Sequence, residues 1–300
     1  MAKIAIAADL ERALDARRRS GGSGAMHVRH LAHGDGWTVD DVVCTSGPDD
    51  RAYEERHREV SVSIVAAGTF EYRSAAGSSA RDALMTPGSV FLGSAGQCFE
   101  CGHAHGAGDR SISFHFSPGY FERIVADSGV RAPARFPVLR LPPARATAAL
   151  VTRACAGLLG HAPTSWEEIG LALAAAAFRL AHETADRGER SPSARDVSRV
   201  TEAVRRLERH AAHRVTVASL ASEAGLSPYH FLRTFQRLTG VTPHQYVLRM
   251  RLRDAALRLV SEQGKVLDAA FDAGFGDVSN FNHAFRAEFG VSPRRYRAER

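Results

Sequence analysis

An internal repeat in the last hundred residues constrains the fold of this chain more than any other feature. The two copies span 221–246 and 270–296, and their offset is 49 residues up to a shared glycine and 50 residues after it. The matched pairs are Gly225 and Gly274, Phe231 and Phe281, Phe235 and Phe285, and Tyr246 and Tyr296. Two copies with the same spacing indicate two structurally equivalent units, the second with one extra residue in its turn.

Each unit has the pattern of a helix, a tight turn and a second helix. Gly225 and Gly274 provide the positive-φ residue that a sharp turn requires. Ser227 and Asp277 follow as N-caps of the second helix. Two phenylalanines four residues apart then lie on one face of that helix and anchor it. This pattern predicts two helix-turn-helix units, whose second helices enter the major groove of DNA.

Outward-facing residues near the start of each second helix are the candidate base readers. They are Tyr229, His230, Leu232 and Arg233 in the first unit, and Val278, Ser279, Asn282 and His283 in the second. Arg233 has the geometry to pair with guanine, and Asn282 with adenine. The candidates for phosphate contacts are Arg237, Arg286, Arg249 and Arg251. For any one of these side chains, the alternative is a solvated helix face.

Residues 246–260 form an amphipathic pattern between the two units and predict a long linker helix. If this helix holds the second helices about 34 Å apart on one face, a single chain reads two successive major grooves.

The charge distribution agrees with a nucleic-acid partner. The whole chain has a net charge of +6, yet residues 194–300 alone hold 18 Lys and Arg against 11 Asp and Glu. Nearly all of these basic residues are arginines, which bind phosphates and guanine edges through a planar fork.

Residues 197–300 resemble the AraC/XylS family of bacterial transcription regulators. The resemblance rests on Ala273-Gly274-Phe275, Asn280-Phe281, Phe285, Gly290-Val291-Ser292-Pro293 and Arg295-Tyr296-Arg297. It implies promoter DNA and RNA polymerase as partners, with activation as the usual outcome. The second unit departs from the family, because Val278, Ser279 and His283 stand where many members have longer polar residues. We therefore expect base reading to rest mainly on the first unit, around Tyr229 and Arg233.

Short runs in which apolar and polar residues alternate dominate residues 26–117, for example at 60–65, 69–72, 90–92 and 111–116. They predict short strands in a β-sandwich or barrel. With Gly68 and Pro87-Gly88 at its turns, this region resembles, more weakly, the cupin-like effector domain common in the same family. The predicted fold class is therefore α+β: an N-terminal cupin-like β-barrel that binds a small-molecule or metal effector, a helical dimerisation or linker segment, and an all-α domain with two helix-turn-helix units.

Five segments follow from these patterns. They are a flexible N-terminal segment with a short helix at 1–25, a sensing domain at 26–117, a helical linker or dimerisation segment at 118–186, a linker at 187–193 and a DNA-binding domain at 194–300. Helices are predicted near 144–160 and 164–185. The second has a stripe of Ile169, Leu173, Ala176 and Leu180, which indicates either core packing or a homodimer interface.

A Cys/His-rich run at 98–105 is a candidate for metal or redox sensing. Cys101, His103 and His105 would share one face of an extended strand, with Cys98 or His57 as a fourth ligand. Such a set suits zinc, copper or a related transition metal. Alternatively, Cys98 and Cys101 form a thiol redox switch, or the run is only a structural part of the barrel rim.

Other classes of protein find little support in the sequence. No apolar run is long enough to span a membrane, and acidic residues within 1–19 argue against a signal peptide, so we expect a cytoplasmic protein. Four cysteines are too few for a disulfide scaffold. Common motifs of nucleotide-binding proteins, serine hydrolases and zinc proteases are absent. The sequence predicts a transcription regulator without catalytic activity. The alternative is a cupin-type metal enzyme with an accessory DNA-binding domain, which is disfavoured because His103-Ala104-His105 follows Pro87-Gly88.

Overall fold

The computed structural model describes residues 2–76, 79–160, 164–184, 193–209 and 216–298. The described residues between 26 and 141 form antiparallel strands and one helix and are here called the β-domain, and the described residues from 193 onward form a C-terminal helical domain. The predicted α+β class is therefore confirmed. The predicted linker at 187–193 lies outside the described residues except for Ser193. No helix among the described residues is long and apolar enough to cross a membrane.

The β-domain is a sandwich of two antiparallel sheets. The large sheet contains, in spatial order, β1 (Met26–Gly34), β2 (Trp37–Cys44), β9 (Asp109–Phe116), β4 (Val60–Gly68), β7 (Val90–Gly93) and β10 (Arg140–Leu141). The small sheet contains β3 (Tyr53–Arg56), β8 (Cys98–Gly102), β5 (Phe70–Ala76) and β6 (Ser79–Met85). All four predicted strand runs are strands, whereas the likeness to cupins stays a prediction.

The large sheet has one apolar face and one polar face, because side chains alternate along each strand. Val62 of β4 is paired with Phe114 of β9, and both are fully buried in the main hydrophobic core. The neighbouring pair, Ser63 and Ser113, points to the opposite face. Helices cover the apolar face, and the small sheet covers the polar face.

Four helices pack against the β-domain. They are α1 (Ala2–Ser20), α2 (Pro118–Asp127), α3 (Arg145–Leu158) and α4 (Trp166–Glu183). Ser165 caps α4 and accepts a hydrogen bond from the Glu168 amide. Ile169 and Leu173 of α4 are buried in the main core, so the predicted stripe packs within the chain. A homodimer stays a prediction.

The N-terminal segment differs from the flexible segment predicted for residues 1–25. Ile6, Leu10 and Leu14 of α1 are buried in the main core. Asp9 of the same helix accepts a hydrogen bond from the buried Arg110 guanidinium at 2.6 Å. The sequence did not show this packing because the partners of α1 lie in strands far along the chain.

The helical domain contains α5 (Ala194–Arg209), α6 (Val217–Glu223), α7 (Pro228–Thr239), α8 (Pro243–Ser261), α9 (Val266–Asp272), α10 (Val278–Phe289) and α11 (Pro293–Ala298). The predicted linker helix is α8, which begins earlier than predicted because Thr242 and Gln245 form a capping box at its start. The first unit has its core around Phe231 and Phe235, and the second around Phe281 and Phe285.

Polar contacts attach the helical domain to the β-domain. Arg140 of β10 donates to the carbonyl oxygens of Leu84 and Leu238. Arg205 of α5 donates to the Ala107 carbonyl oxygen at 2.9 Å and to the Thr69 hydroxyl at 3.3 Å. Leu84 of β6 is buried in the core of the first helix-turn-helix unit.

The packing of α1 is tested by Leu10→Ala. We expect this variant to lower the free energy of unfolding by about 2–5 kcal/mol, because a buried leucine leaves a cavity when it is truncated. Both tryptophans, Trp37 and Trp166, belong to the β-domain and its helices. Urea unfolding followed by tryptophan fluorescence therefore measures the relevant transition.

Arg19→Ala, at an exposed position of the same helix, is the matched control and should change the free energy of unfolding by no more than about 0.5 kcal/mol. An effect of Leu10→Ala as small as that of the control would show that α1 does not pack on the core in solution.

Candidate functional site

The first helix-turn-helix unit consists of α6, the turn at Gly225 and α7. Gly225 has a φ of 61°, which side chains with a Cβ rarely adopt. Ser227 then accepts a hydrogen bond from the His230 amide at 3.3 Å and caps α7. Phe231 and Phe235 are fully buried, so the opposite side of α7 is left for solvent or a partner.

The second unit repeats this geometry with α9, Gly274 and α10. Gly274 has a φ of 87°, and Asp277 accepts hydrogen bonds from the Ser279 and Asn280 amides. The helices before the turn begin 49 residues apart and those after it 50 residues apart. The extra residue of the second copy therefore lies in the turn, as the repeat predicts.

The structure exposes nearly all of the predicted base readers. The exposed residues are Tyr229, His230, Leu232 and Arg233 on α7, and Ser279, Asn282 and His283 on α10, whereas Val278 is half-buried. The Arg233 guanidinium lies 5.9 Å from the centre of the Tyr229 ring. Because this distance permits a cation–π contact, the two side chains form one surface feature on α7.

The predicted phosphate contacts divide into two groups. Arg237 and Arg286 are exposed on the recognition helices, although Arg237 also pairs with Asp196 at 2.8 Å. Arg249 instead donates to the Pro143 carbonyl oxygen at 2.7 Å, and Arg251 is half-buried. Arg249 is thus engaged within the chain, because α8 packs between the units and against the segment that follows β10. A phosphate contact by Arg249 or Arg251 stays a prediction.

Comparison with known proteins identifies this domain. The family model for a helix-turn-helix domain matches residues 220–299. Residues 220–299 are an AraC-type helix-turn-helix domain. The resemblance found in the sequence is thus confirmed for this part of the chain.

Several relatives share part of the chain. This chain is 43% identical to the probable transcriptional regulator LumQ of Photobacterium leiognathi over an alignment of 91 residues. The alignment covers 30% of this chain and 36% of LumQ. The chain is 36% identical to the transcriptional activator RhaS of Citrobacter koseri over an alignment of 108 residues. This alignment covers 36% of this chain and 39% of RhaS. The DNA-binding domain of AdpA, solved with a target DNA, gives a TM-score of 0.32 at 31% identity and covers 33% of this chain and 90% of that one. The chain spans less than half the length of these curated relatives.

Away from the AraC-type domain, the β-domain contains a cavity of about 730 Å³ between its two sheets. Its lining includes the hydroxyls of the polar face, contributed by Ser61, Ser63, Ser111 and Ser113. Histidines, acidic residues and two cysteines also line it: His57, His103, His115, Asp40, Asp109, Cys44 and Cys101. The polar residues of the alternating strands thus face a cavity that opens to solvent past exposed residues such as Met26 and Tyr53.

Two aromatic contacts fix His57 in this cavity. Its ring is stacked on Phe99, with ring centres 4.1 Å apart, and its Nε2 lies 2.6 Å from the Tyr72 hydroxyl. Burial, together with the nearby His115, lowers the pKa of His57 from 6.5 to about 4. His57 is therefore a neutral hydrogen-bonding group of the cavity wall at physiological pH.

The predicted Cys98–His105 ligand set is not brought together. β8 ends at Gly102, so His103 and His105 lie in the following loop and do not share a strand face with Cys101. His105 instead faces Glu71, with Nε2 and Oε1 3.7 Å apart. The prediction assumed an extended chain through residue 105, whereas the chain turns after Gly102.

The two cysteines of the predicted redox pair also lie apart. Cys98 is paired with Arg56 and Cys101 with Tyr53 in the same ladder. Residues three apart in a strand point to opposite faces and are about 10 Å apart along it. Because a disulfide requires Cα atoms within about 7 Å, the intact strand does not permit a Cys98–Cys101 bond.

The structure brings together a different set of side chains. Within the described residues, Cys44, His103 and Asp109 have ligand atoms that all lie within 4.8 Å of one another. Of these three, only His103 was predicted. Cys44 and Asp109 are 65 positions apart in the chain and meet only through the register of β2 and β9, where they are paired. No pattern within a single segment reveals such a pairing.

The neutral state of His57 predicts a pH dependence of stability. The folded protein holds the pKa of His57 near 4, whereas the unfolded chain has the ordinary value of 6.5. Between these values the unfolded state binds the extra proton, so the free energy of unfolding falls as the pH falls from about 6.5 to about 4. One proton contributes a slope of about 1.4 kcal/mol per pH unit.

His57→Gln keeps a hydrogen-bonding group but removes the titration. We expect a shallower dependence of the free energy of unfolding on pH in this range, measured by urea unfolding with tryptophan fluorescence. His33→Gln, at an exposed histidine of β1, is the control and should keep the slope of the unmodified protein. Identical slopes for all three proteins would contradict the buried, neutral His57.

Proposed function

We propose that this chain is a DNA-binding transcription regulator whose AraC-type domain reads promoter DNA and whose β-domain binds an effector. The observation that carries the proposal is the pair of equivalent helix-turn-helix units, each with the outer side of its second helix exposed. Two such helices in one domain suit two successive major grooves of one DNA site.

The surface chemistry supports unequal roles for the two units. Arg233 and Tyr229 present a guanidinium and an aromatic ring on α7, and arginine paired with guanine is the commonest specific base contact. On α10 the corresponding surface offers the shorter side chains of Ser279, Asn282 and His283. We therefore assign most of the base reading to α7, with α10 contributing an adenine contact through Asn282 and a phosphate contact through Arg286.

The names of the relatives favour activation over repression. RhaS is named a transcriptional activator and LumQ a probable transcriptional regulator. By this likeness the chain is an activator that works with RNA polymerase at its promoter, in the cytoplasm where bacterial DNA lies. We assign it no catalytic role, since the named relatives regulate transcription.

The cavity of the β-domain supports an effector site. Its volume of about 730 Å³ lies within the range of pockets for small ligands. Apolar side chains such as Phe70, Phe91 and Phe99 line it together with hydroxyls, imidazoles and carboxylates, so the effector that we propose is a small molecule or a metal ion.

Selection of genomic DNA fragments by the purified full chain, at near-physiological salt, tests the proposed function. We expect one enriched motif with two half-sites about one helical turn apart. Uniform, strongly salt-dependent binding without a motif would contradict sequence-specific regulation, because contacts to phosphates alone produce that behaviour.

Arg233→Ala tests the reading by α7. We expect it to weaken binding to the selected motif by about 1–3 kcal/mol and to relax the preference at one base pair. Asn282→Ala should weaken binding by less. Arg123→Ala removes the same charge from an exposed position of α2, outside the AraC-type domain, and is the matched control. Equal affinity and base preference for Arg233→Ala and Arg123→Ala, measured at one salt concentration, would refute the assigned role of Arg233.

A further inference from the structure

Cys44, His103 and Asp109 meet at one end of the cavity in the β-domain. Cys44 ends β2 and Asp109 begins β9, and the two are direct partners in the antiparallel ladder. Direct partners on neighbouring strands project their side chains to the same face. His103 lies in the loop before β9, and its Nε2 is 2.9 Å from Oδ1 of Asp109. His103 and Asp109 are buried, and Cys44 is half-buried.

We propose that Cys44, His103 and Asp109 bind a divalent transition-metal ion of the zinc class, with the fourth position open to the cavity. One sulfur, one nitrogen and one carboxylate oxygen form a ligand set that suits zinc or cobalt and disfavours magnesium or calcium. The thiolate and the carboxylate together carry two negative charges, which balance a dication at a site with little access to water.

The surroundings of the three side chains resemble those of a metal site. The Ser111 hydroxyl donates to Oδ2 of Asp109 at 3.1 Å, whereas Oδ1 accepts a hydrogen bond from Nε2 of His103 at 2.9 Å. Such outer hydrogen bonds orient a ligating carboxylate. Upon binding, the Cys44 thiol releases its proton to solvent and the sulfur forms the bond to the metal. The proton that His103 Nε2 donates to Asp109 in the metal-free protein passes through solvent to Nδ1, which leaves Nε2 and the carboxylate free to bind the ion. The reaction needs no oxidant or reductant.

Metal binding would change the geometry at both ends of the loop that joins His103 to Asp109. Ligand atoms around a tetrahedral zinc ion are about 3.4 Å apart, given bond lengths of about 2.0–2.3 Å. In this structure Nε2 of His103 and Oδ1 of Asp109 are 2.9 Å apart, and all three ligand atoms lie within 4.8 Å of one another. A bound ion would therefore replace the hydrogen bond between His103 and Asp109 and increase the distance between these two atoms, which displaces the ends of the loop.

The middle of the same loop contacts the helical domain. The Ala107 carbonyl oxygen accepts a hydrogen bond from Arg205 of α5 at 2.9 Å. The neighbouring Gly106 is so close to this guanidinium that a Cβ there would collide with it. Val200 and Val204 of α5 are in turn packed in the core that holds α7. The loop therefore links the proposed metal site to the first recognition helix, and this regulatory consequence rests on the proposed function.

Cobalt binding tests the site without DNA. The full chain, first treated with a chelator, is titrated with Co²⁺ and then with Zn²⁺. We expect one equivalent of Co²⁺ to produce a thiolate-to-cobalt charge-transfer band and tetrahedral d–d bands, which Zn²⁺ then abolishes. Absence of a charge-transfer band at stoichiometric Co²⁺ would refute the site.

Variants identify the ligands. Cys44→Ser should abolish the charge-transfer band, and His103→Gln and Asp109→Asn should each weaken affinity at least about 100-fold, because the loss of outer-sphere partners alone costs 10–100-fold. Cys98→Ser and His105→Gln, from the run at 98–105, are the matched controls and should bind as the unmodified protein does. Each variant is shown to be folded by comparing its melting temperature without metal with that of the unmodified protein without metal. A band that survives Cys44→Ser but is lost in Cys98→Ser or Cys101→Ser would assign the metal to other cysteines and overturn the proposal.

Binding to the selected DNA motif tests the link between the sites. We expect Zn²⁺ to change the affinity of the unmodified protein at least threefold, and Arg205→Ala to remove most of that response. Arg209→Ala, at an exposed arginine of the same helix, should keep it. If cobalt binds as described but Zn²⁺ leaves DNA affinity unchanged, the link is refuted and the metal site stands. If no DNA motif is found at all, the proposed function fails, independently of the cobalt result.

Discussion

The opposite character of the two faces of the large sheet determines where the other elements lie. Its apolar face carries Val62, Ile64 and Phe114, and only helices with buried apolar stripes, such as α1 and α4, can cover it. Its polar face also carries Val65 and Phe91, which pack against Phe70, Tyr72 and Met85 of the small sheet. Around the serines of that face a cavity is left, lined by both polar and apolar side chains, and this is where the β-domain has room for the proposed effector.

The helical domain is attached to the β-domain and its helices through both apolar and polar contacts. Leu257 of α8 is buried in the main core, and Leu84 of β6 is buried in the core of the first helix-turn-helix unit. Arg205 contacts the loop before β9, and Arg140 joins β6 to the end of α7. The outer faces of α7 and α10 remain exposed, while other faces of the helical domain contact the β-domain and its helices.

The two candidate sites differ in how far the sequence predicts them. The recognition helices are local: capping residues, turn glycines and phenylalanines lie within about twenty positions, and their periodicity shows which side of each helix is outward. The contact of Arg249 with the Pro143 carbonyl was not predicted, because the two residues lie over a hundred positions apart in the chain. The Cys98–His105 set was likewise inferred from an extended strand that in fact ends at Gly102.

The sequence by itself determined the fold class, the two helix-turn-helix units and the residues that face outward on them, because helix, turn and strand signals act over short separations. Only the tertiary structure decided that α1 packs on the core, that Ser63 and Ser113 face a cavity, and that Cys44 meets Asp109. These outcomes depend on which strands pair and in which register, and strand register depends on contacts between distant parts of the chain.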